Sequence, residues 1–190
     1  MTATRLSRIA LFYGVLFTIG AIWATAQDQN LLLAIDVGPG YLLAQAALGL
    51  GVGLLTAWAS QRLSTRFTWA QRLERALFES LGPFSASEAL MVSLLSAIGE
   101  EALFRGAMQP VVGLVVTALA FGLLHVGPGK VFLPWTGMAI GAGFLFGGLC
   151  ALTGNLIAPI AAHAAINFIN LRYLSRTYGD EVAAQGPTWD

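Results

Sequence analysis

Six apolar runs, each close to the length of a bilayer crossing, decide what this chain can fold into. They cover approximately Ile9–Ala26, Tyr41–Ala59, Ser87–Gln109, Val111–Val126, Trp135–Leu152 and Asn155–Leu171. A helix rises about 1.5 Å per residue and the hydrocarbon core is about 30 Å thick, so a span takes about 20 mostly apolar residues. Backbone polar groups in lipid must be satisfied internally, and no alternating strand pattern is present, so the spans are helices. With 56% hydrophobic and only 11% charged residues, the chain cannot form the polar shell of a soluble domain. The expected fold is all-α: a polytopic transmembrane helix bundle of about six spans, forming one integral membrane domain over residues 1–190.

The basic residues orient it. Arg5 and Arg8 precede the first span, Arg62, Arg66, Arg72 and Arg75 follow the second, Lys130 follows the fourth, and Arg172 and Arg176 follow the sixth. The opposite loops carry Asp28 and Asp36 or almost no charge. The positive-inside rule then puts both termini in the cytoplasm of a multi-pass protein of the cell membrane. The first run also fits a secretory signal, with Ala24-Thr25-Ala26 as a small-residue cleavage site, and the later topology is the same either way. Gln61–Ser80 mixes basic residues with Leu63, Phe67, Leu73, Leu77 and Phe78, which suits an amphipathic helix on the inner leaflet with Trp69 at headgroup level. Gly82-Pro83 ends it, and Ser85 or Ser87 caps the next helix, with Glu88 favouring that terminus. Asp180–Asp190 reads as a loose polar tail.

Several functions fall away. Ten Lys and Arg balance ten Asp and Glu, so no positive field collects a nucleic acid. The single Cys150 can form no intrachain disulfide and reads as packing. Gly49, Gly51 and Gly53 lack the Lys-Ser/Thr of a phosphate loop. Gly137/Gly141 and Gly143/Gly147 are G-x-x-x-G steps that let helices approach closely.

Charged groups inside a span cost at least about 2.5–3.5 kcal/mol each, yet the third run holds Glu100, Glu101 and Arg105. Glu101 and Arg105 are four apart and can pair; Glu100 is about 100° away on the wheel and faces something else. Both histidines also lie in apolar runs. Phe121 and His125 put an aromatic wall beside an imidazole, and His163 and Asn167 share a face, with alanines leaving room around His163. A desolvated carboxylate is a better general base near neutral pH. An imidazole can share its water, and an amide and a second imidazole can donate to a developing oxyanion. These are the parts for amide hydrolysis by activated water; no serine nucleophile constellation is evident. Depth is the difficulty: Glu100 lies about 20 Å along a helix begun at Ser87, His125 near the inner end of its run, and His163 mid-span. Straight helices would not align them, whereas tilt, a broken helix or an interfacial start would.

The set E-E-x-x-x-R, F-x-x-x-H and H-x-x-x-N, in that order on successive hydrophobic segments, resembles the CPBP family of intramembrane proteases. That family includes the type II CAAX prenyl endopeptidases and bacterial bacteriocin-processing or self-immunity proteins. The resemblance covers roughly Ser85–Tyr173. It implies that Glu100 with His125 activates the water and that His163 and Asn167 stabilise the oxyanion. Glu101, Arg105 and Phe121 would support the site. The substrate implied is a membrane-associated peptide or protein tail, with the CAAX motif less secure in so short a chain. The family is often termed metalloprotease, and His125, His163 and Glu100 could ligate zinc. With no H-E-x-x-H, the metal-free glutamate mechanism is preferred, and no cofactor is expected. Two other functions fit the same groups: a small proton-coupled transporter, or a non-catalytic bacteriocin self-immunity protein that binds a peptide. The oligomeric state is not encoded in any motif.

Overall fold

The fold is taken from a computed structural model, which describes residues 3–30 and 38–185, with side chains at 4–30 and 38–179. Helices α1 (Ala3–Ala26), α2 (Pro39–Ser64), α3 (Thr68–Leu81) and α4 (Ala86–Glu101) lead into a π-helical segment, Ala102–Met108. Helix α5 (Gln109–Leu123), a 3-10 turn (Lys130–Phe132), α6 (Leu133–Thr153) and α7 (Ile157–Gln185) complete the chain. No strand occurs among the described residues. The protein is an all-helical membrane bundle.

Contacts fix the helix directions. Helices α1 and α4 run the same way: Arg5 lies 4.8 Å from the Phe84 ring at one end, and Gly20 meets Ala102 and Leu103 at the other. Helix α7 opposes α4, joined by Glu101–His163, Ser96–Asn167 and Phe84–Arg172 bonds. Helix α2 runs parallel to α7, because Gly49 meets Ala158, Gly53 meets Ala162 and Ser64 meets Tyr173. A Cβ at Gly49 or Gly53 would strike the α7 backbone, so these glycines serve close packing. Ser85 caps α4 with Glu88 in a reciprocal capping box, and Ser87 does not take that place.

The chain reverses at Gly113, whose φ of 80° and ψ of 168° suit glycine alone. The reversal brings Phe104 and Phe121 to 5.1 Å between ring centroids. Both arms then lie along α6. Arg105 donates to Gly143 O and Gln109 to Gly147 O, while Gly143 also meets Ala118 and Gly147 meets Leu114. Glu100 stands thirteen residues before the turn and His125 twelve after it, so a hairpin sets them at one depth. This answers the depth problem by a broken helix.

The span list changes accordingly. Among the described residues, four helical stretches are long and apolar enough to cross a membrane: Thr4–Ala26, Pro39–Ser64, Ala86–Leu123 and Lys130–Thr153. The third joins two expected spans, Ser87–Gln109 and Val111–Val126, into one bent element. Its second arm, Leu114–Leu123, is about 15 Å long and cannot cross the core alone. The sixth expected span falls in α7 from Ile157 onward but outside those four, because His163, Asn167, Asn170 and Arg172 dilute the helix's hydropathy. The expected amphipathic segment divides, since Gln61–Ser64 ends α2 and α3 starts only at Thr68. Its Leu73 and Phe78 are buried while Trp69 is exposed, the division of an amphipathic helix. Asp180–Gln185, expected as loose tail, continue α7; residues 186–190, and Asp36, lie outside the described residues.

Burial is inverted relative to a soluble domain. Leu11, Leu43, Leu55, Val115 and Leu152 face outward, whereas the largest fully enclosed side chains include Arg105, Glu101, Asn155 and Thr117. Small residues such as Ala57, Ala97, Ala118 and Ala162 let the helices close up around this polar interior. Gly143 and Gly147 share in that closeness; a Cβ at Gly137 or Gly141 would meet open space among the described residues. Cys150 is buried, as expected for a packing residue.

Candidate active site

Three helical elements deliver the polar groups to one place. The α4 end presents Glu100 and Glu101 on different faces. Glu101 is fully buried and accepts from Arg105 Nη1 at 3.0 Å and from His163 Nδ1 at 2.8 Å. Arg105 also donates Nη2 to Gly143 O at 3.0 Å and sits 4.5 Å from the Phe121 ring centroid. The pairing of Glu101 with Arg105 is the one the four-residue spacing predicts. A buried ion pair of this kind holds geometry more than it adds stability, and breaking it costs about 3–5 kcal/mol.

Glu100 has a different environment. Its Oε2 is buried without a hydrogen-bond partner. It lies 4.0 Å from His125 Nε2 and 3.8 Å from His163 Nε2. Carbonyls only accept, so the 2.7 Å contact of His125 Nδ1 with Phe121 O makes Nδ1 the donor and turns Nε2 toward Glu100. Glu101 fixes the His163 ring in the same sense. Separations of 3.8–4.0 Å are too long for direct hydrogen bonds and leave room for a bridging water.

Aromatic rings hold both imidazoles. Phe121 lies 4.7 Å from His125 and 6.0 Å from His163 between centroids. Phe146 stacks on His163 at 4.7 Å and 13°, filling the space that the neighbouring alanines were expected to leave open. Trp135 closes on His125 at 5.7 Å. Asn167 Nδ2 donates to Ser96 Oγ at 3.0 Å, and its second N–H stays available. Glu100, His125, His163 and Asn167 all line one cavity of about 690 Å³, which extends to α3 and to Arg5 and Arg8 at the basic end.

Sequence reasoning missed Ser96, Trp135 and Phe146. Ser96 had a signal, because it stands four residues before Glu100 and shares its face. The two aromatics had none, since aromatic residues in apolar runs read as packing. For zinc, the test is the donor arrangement. Among the described residues no three His, Cys, Asp or Glu side chains are grouped to hold a metal ion. Donation of each Nδ1–H to an oxygen leaves both Nε2 atoms turned toward Glu100, which is also how a metal-ligating imidazole is held.

Fold and cluster together define a class: a helical membrane protein enclosing a carboxylate, two imidazoles and an amide in a shared cavity. Residues 82–169 match the family model "Type II CAAX prenyl endopeptidase Rce1-like". The family match spans Glu100 to Asn167, the whole polar cluster. The chain is also similar to "Uncharacterized protein YpbD" of Bacillus subtilis (strain 168), 35% identical over 85 residues, covering 45% of this chain and 44% of that protein. The chain thus spans less than half the length of that relative. No solved structure matches it.

Proposed function

We propose that this protein is a CPBP-type intramembrane endopeptidase that hydrolyses a peptide bond in a membrane-associated peptide or protein tail. The observation that carries the reading is the convergence of Glu100 Oε2, His125 Nε2 and His163 Nε2 within 4.0 Å on one cavity. A water between Glu100 and His125 gives its proton to the carboxylate as its oxygen attacks the peptide carbonyl. The oxyanion accepts from Asn167 Nδ2 and from His163 Nε2. With Nδ1–H already given to Glu101, this donation from Nε2 requires the doubly protonated ring, which lies between the two carboxylates. Glu100 then passes the proton to the leaving amine, and acid and amine products account for one water consumed.

The metal-free form is the one proposed, supported by the lack of an H-E-x-x-H motif and of a three-donor group among the described residues. Glu100→Gln and His163→Ala are expected to abolish cleavage while each variant still inserts and folds. Activity is expected to survive chelation in protein shown free of zinc. Full activity in both purified variants, or stoichiometric zinc whose removal stops cleavage, overturns the reading. The orientation proposed is the positive-inside one, with both termini cytoplasmic. It is supported by the Arg5–Phe84, Arg172–Phe84 and Arg75–Tyr178 contacts, which gather basic residues at one end of the bundle.

A further inference from the structure

Hydrolysis consumes one water per turnover, and Glu100 lies deep among apolar helices. Resting on the function proposed above, the question is how that water arrives. Helix α7 carries a row of polar side chains on one face: His163, Asn167, Asn170, Tyr173 and Tyr178. Each meets a polar partner from a neighbouring helix. Asn167 bonds Ser96 at 3.0 Å, and the Ser60 hydroxyl lies 3.2 Å from Asn170 Oδ1 and 2.8 Å from Ala57 O. Ser64 and Tyr173 hydroxyls meet at 3.3 Å, and Tyr178 donates to Glu74 Oε2 at 3.1 Å. These positions lead from the candidate site toward α3.

They also connect two cavities. The inner one, about 690 Å³, is lined by polar Glu100, Ser96, Asn167, Asn170 and Ser60 and by apolar Ile9, Phe12, Leu73 and Leu77, and it reaches Arg5 and Arg8. A second cavity of about 530 Å³ is lined mainly by hydroxyls, charges and amides, among them Ser64, Thr65, Thr68, Gln71 and Thr177. Glu74 and Tyr173 line both. Burial raises the Glu74 carboxyl above its ordinary range, as expected of a group at the boundary between a wet chamber and an apolar one.

We propose that the outer polar cavity is a water vestibule, that Glu74 and Tyr173 form its inner door, and that the polar face of α7 carries water onward to Glu100. The α1 and α3 wall is then left for the apolar side chains of the substrate. A file of hydroxyl and amide groups sustains water where an apolar constriction would dewet.

The test uses the full chain in proteoliposomes with Cys150→Ala, so that single cysteines can be introduced. Asn170→Cys and Ser60→Cys are treated with a charged, membrane-impermeant thiosulfonate, and Leu54→Cys, on the outward apolar face, is the comparator. The two α7-row cysteines are expected to react at least about tenfold faster than Cys at 54, and adding Glu74→Leu slows them about tenfold by drying the door. In turnover, Glu74→Leu is expected to lower kcat with KM unchanged. Reaction no faster than at position 54, or fast reaction indifferent to Glu74→Leu, overturns the route. If Asn170→Cys does not fold, Ser60→Cys carries the test. Labelling needs no catalysis, so a protein that labels as expected but cleaves nothing would sink the protease reading and leave the water route standing.

Discussion

The two adjacent acids should respond to amidation with opposite effects on stability. Glu101 accepts two charge-assisted bonds, from Arg105 at 3.0 Å and His163 at 2.8 Å, and is wholly enclosed. Glu101→Gln leaves Arg105 as a buried cation without its counter-ion, a loss of about 3–5 kcal/mol. At about 2–4 °C per kcal/mol for a chain of this size, the midpoint should fall by roughly 6–20 °C. Glu100 Oε2 has no hydrogen-bond partner and faces the two histidines only at 3.8–4.0 Å, so Glu100→Gln removes a desolvated carboxylate that no direct bond holds. The gain is about 0–3 kcal/mol, and the midpoint should hold or rise. The assay is thermal unfolding of both purified variants beside wild type in one detergent, followed by intrinsic Trp fluorescence. If Glu100→Gln falls as far as Glu101→Gln, Glu100 is a structural counter-ion, and the division of labour between the two carboxylates is wrong.

Two further outcomes follow from the backbone and from α3. Gly113→Ala forces a side chain into φ of 80° and should cost about 1–2 kcal/mol by thermal unfolding, with a matching loss of activity as Glu100 and His125 lose their common depth. Glu74 has a raised carboxyl pKa because it is buried. Its contribution to stability is therefore full below the unfolded value of about 4.3 and declines as pH rises through the higher folded value. Glu74→Gln keeps an acceptor for Tyr178 and removes that decline, so the stability difference between variant and wild type should grow in favour of the variant as pH rises from 4, read by unfolding midpoints across a pH series. A constant difference across the series would contradict this.

The fold was largely legible because hydropathy is a property of windows. Lipid-facing helices must be apolar wherever they touch acyl chains, so α1, α2 and α6 announce themselves. Helix α7 and the hairpin are harder for one physical reason: elements enclosed by protein are free to be polar or short. The α7 run carries His163, Asn167 and Asn170 because its neighbours shield it, and a window average penalises each of them. The second arm, Leu114–Leu123, needs no full crossing because α6 covers it. The Glu101–Arg105 pair was readable from a four-residue step alone. The bonds from Glu101 to His163 and from Asn167 to Ser96 cross between helices, and no spacing rule within one helix encodes them.

The hairpin also explains why a cluster built from weak local patterns can be geometrically tight. Helical phase carries Glu100 and Glu101 to different sides of α4, so one can be spent on structure while the other faces the cavity. Glu101 and Arg105 then tie α4 to α6 through Gly143 and to α7 through His163. That network fixes the ring plane of His163, and Phe146 clamps it from one face. The His125 side chain needs its own anchor, because the residue lies beyond the end of α5 at Leu123, where a turn bond to Gly122 O holds its backbone. The Phe121 carbonyl supplies it, and the same residue's ring supports His125 and Arg105 together. Phe121 therefore links the structural acid to the reactive one, which gives a physical reason for an aromatic residue four positions before a histidine that packing alone would not demand.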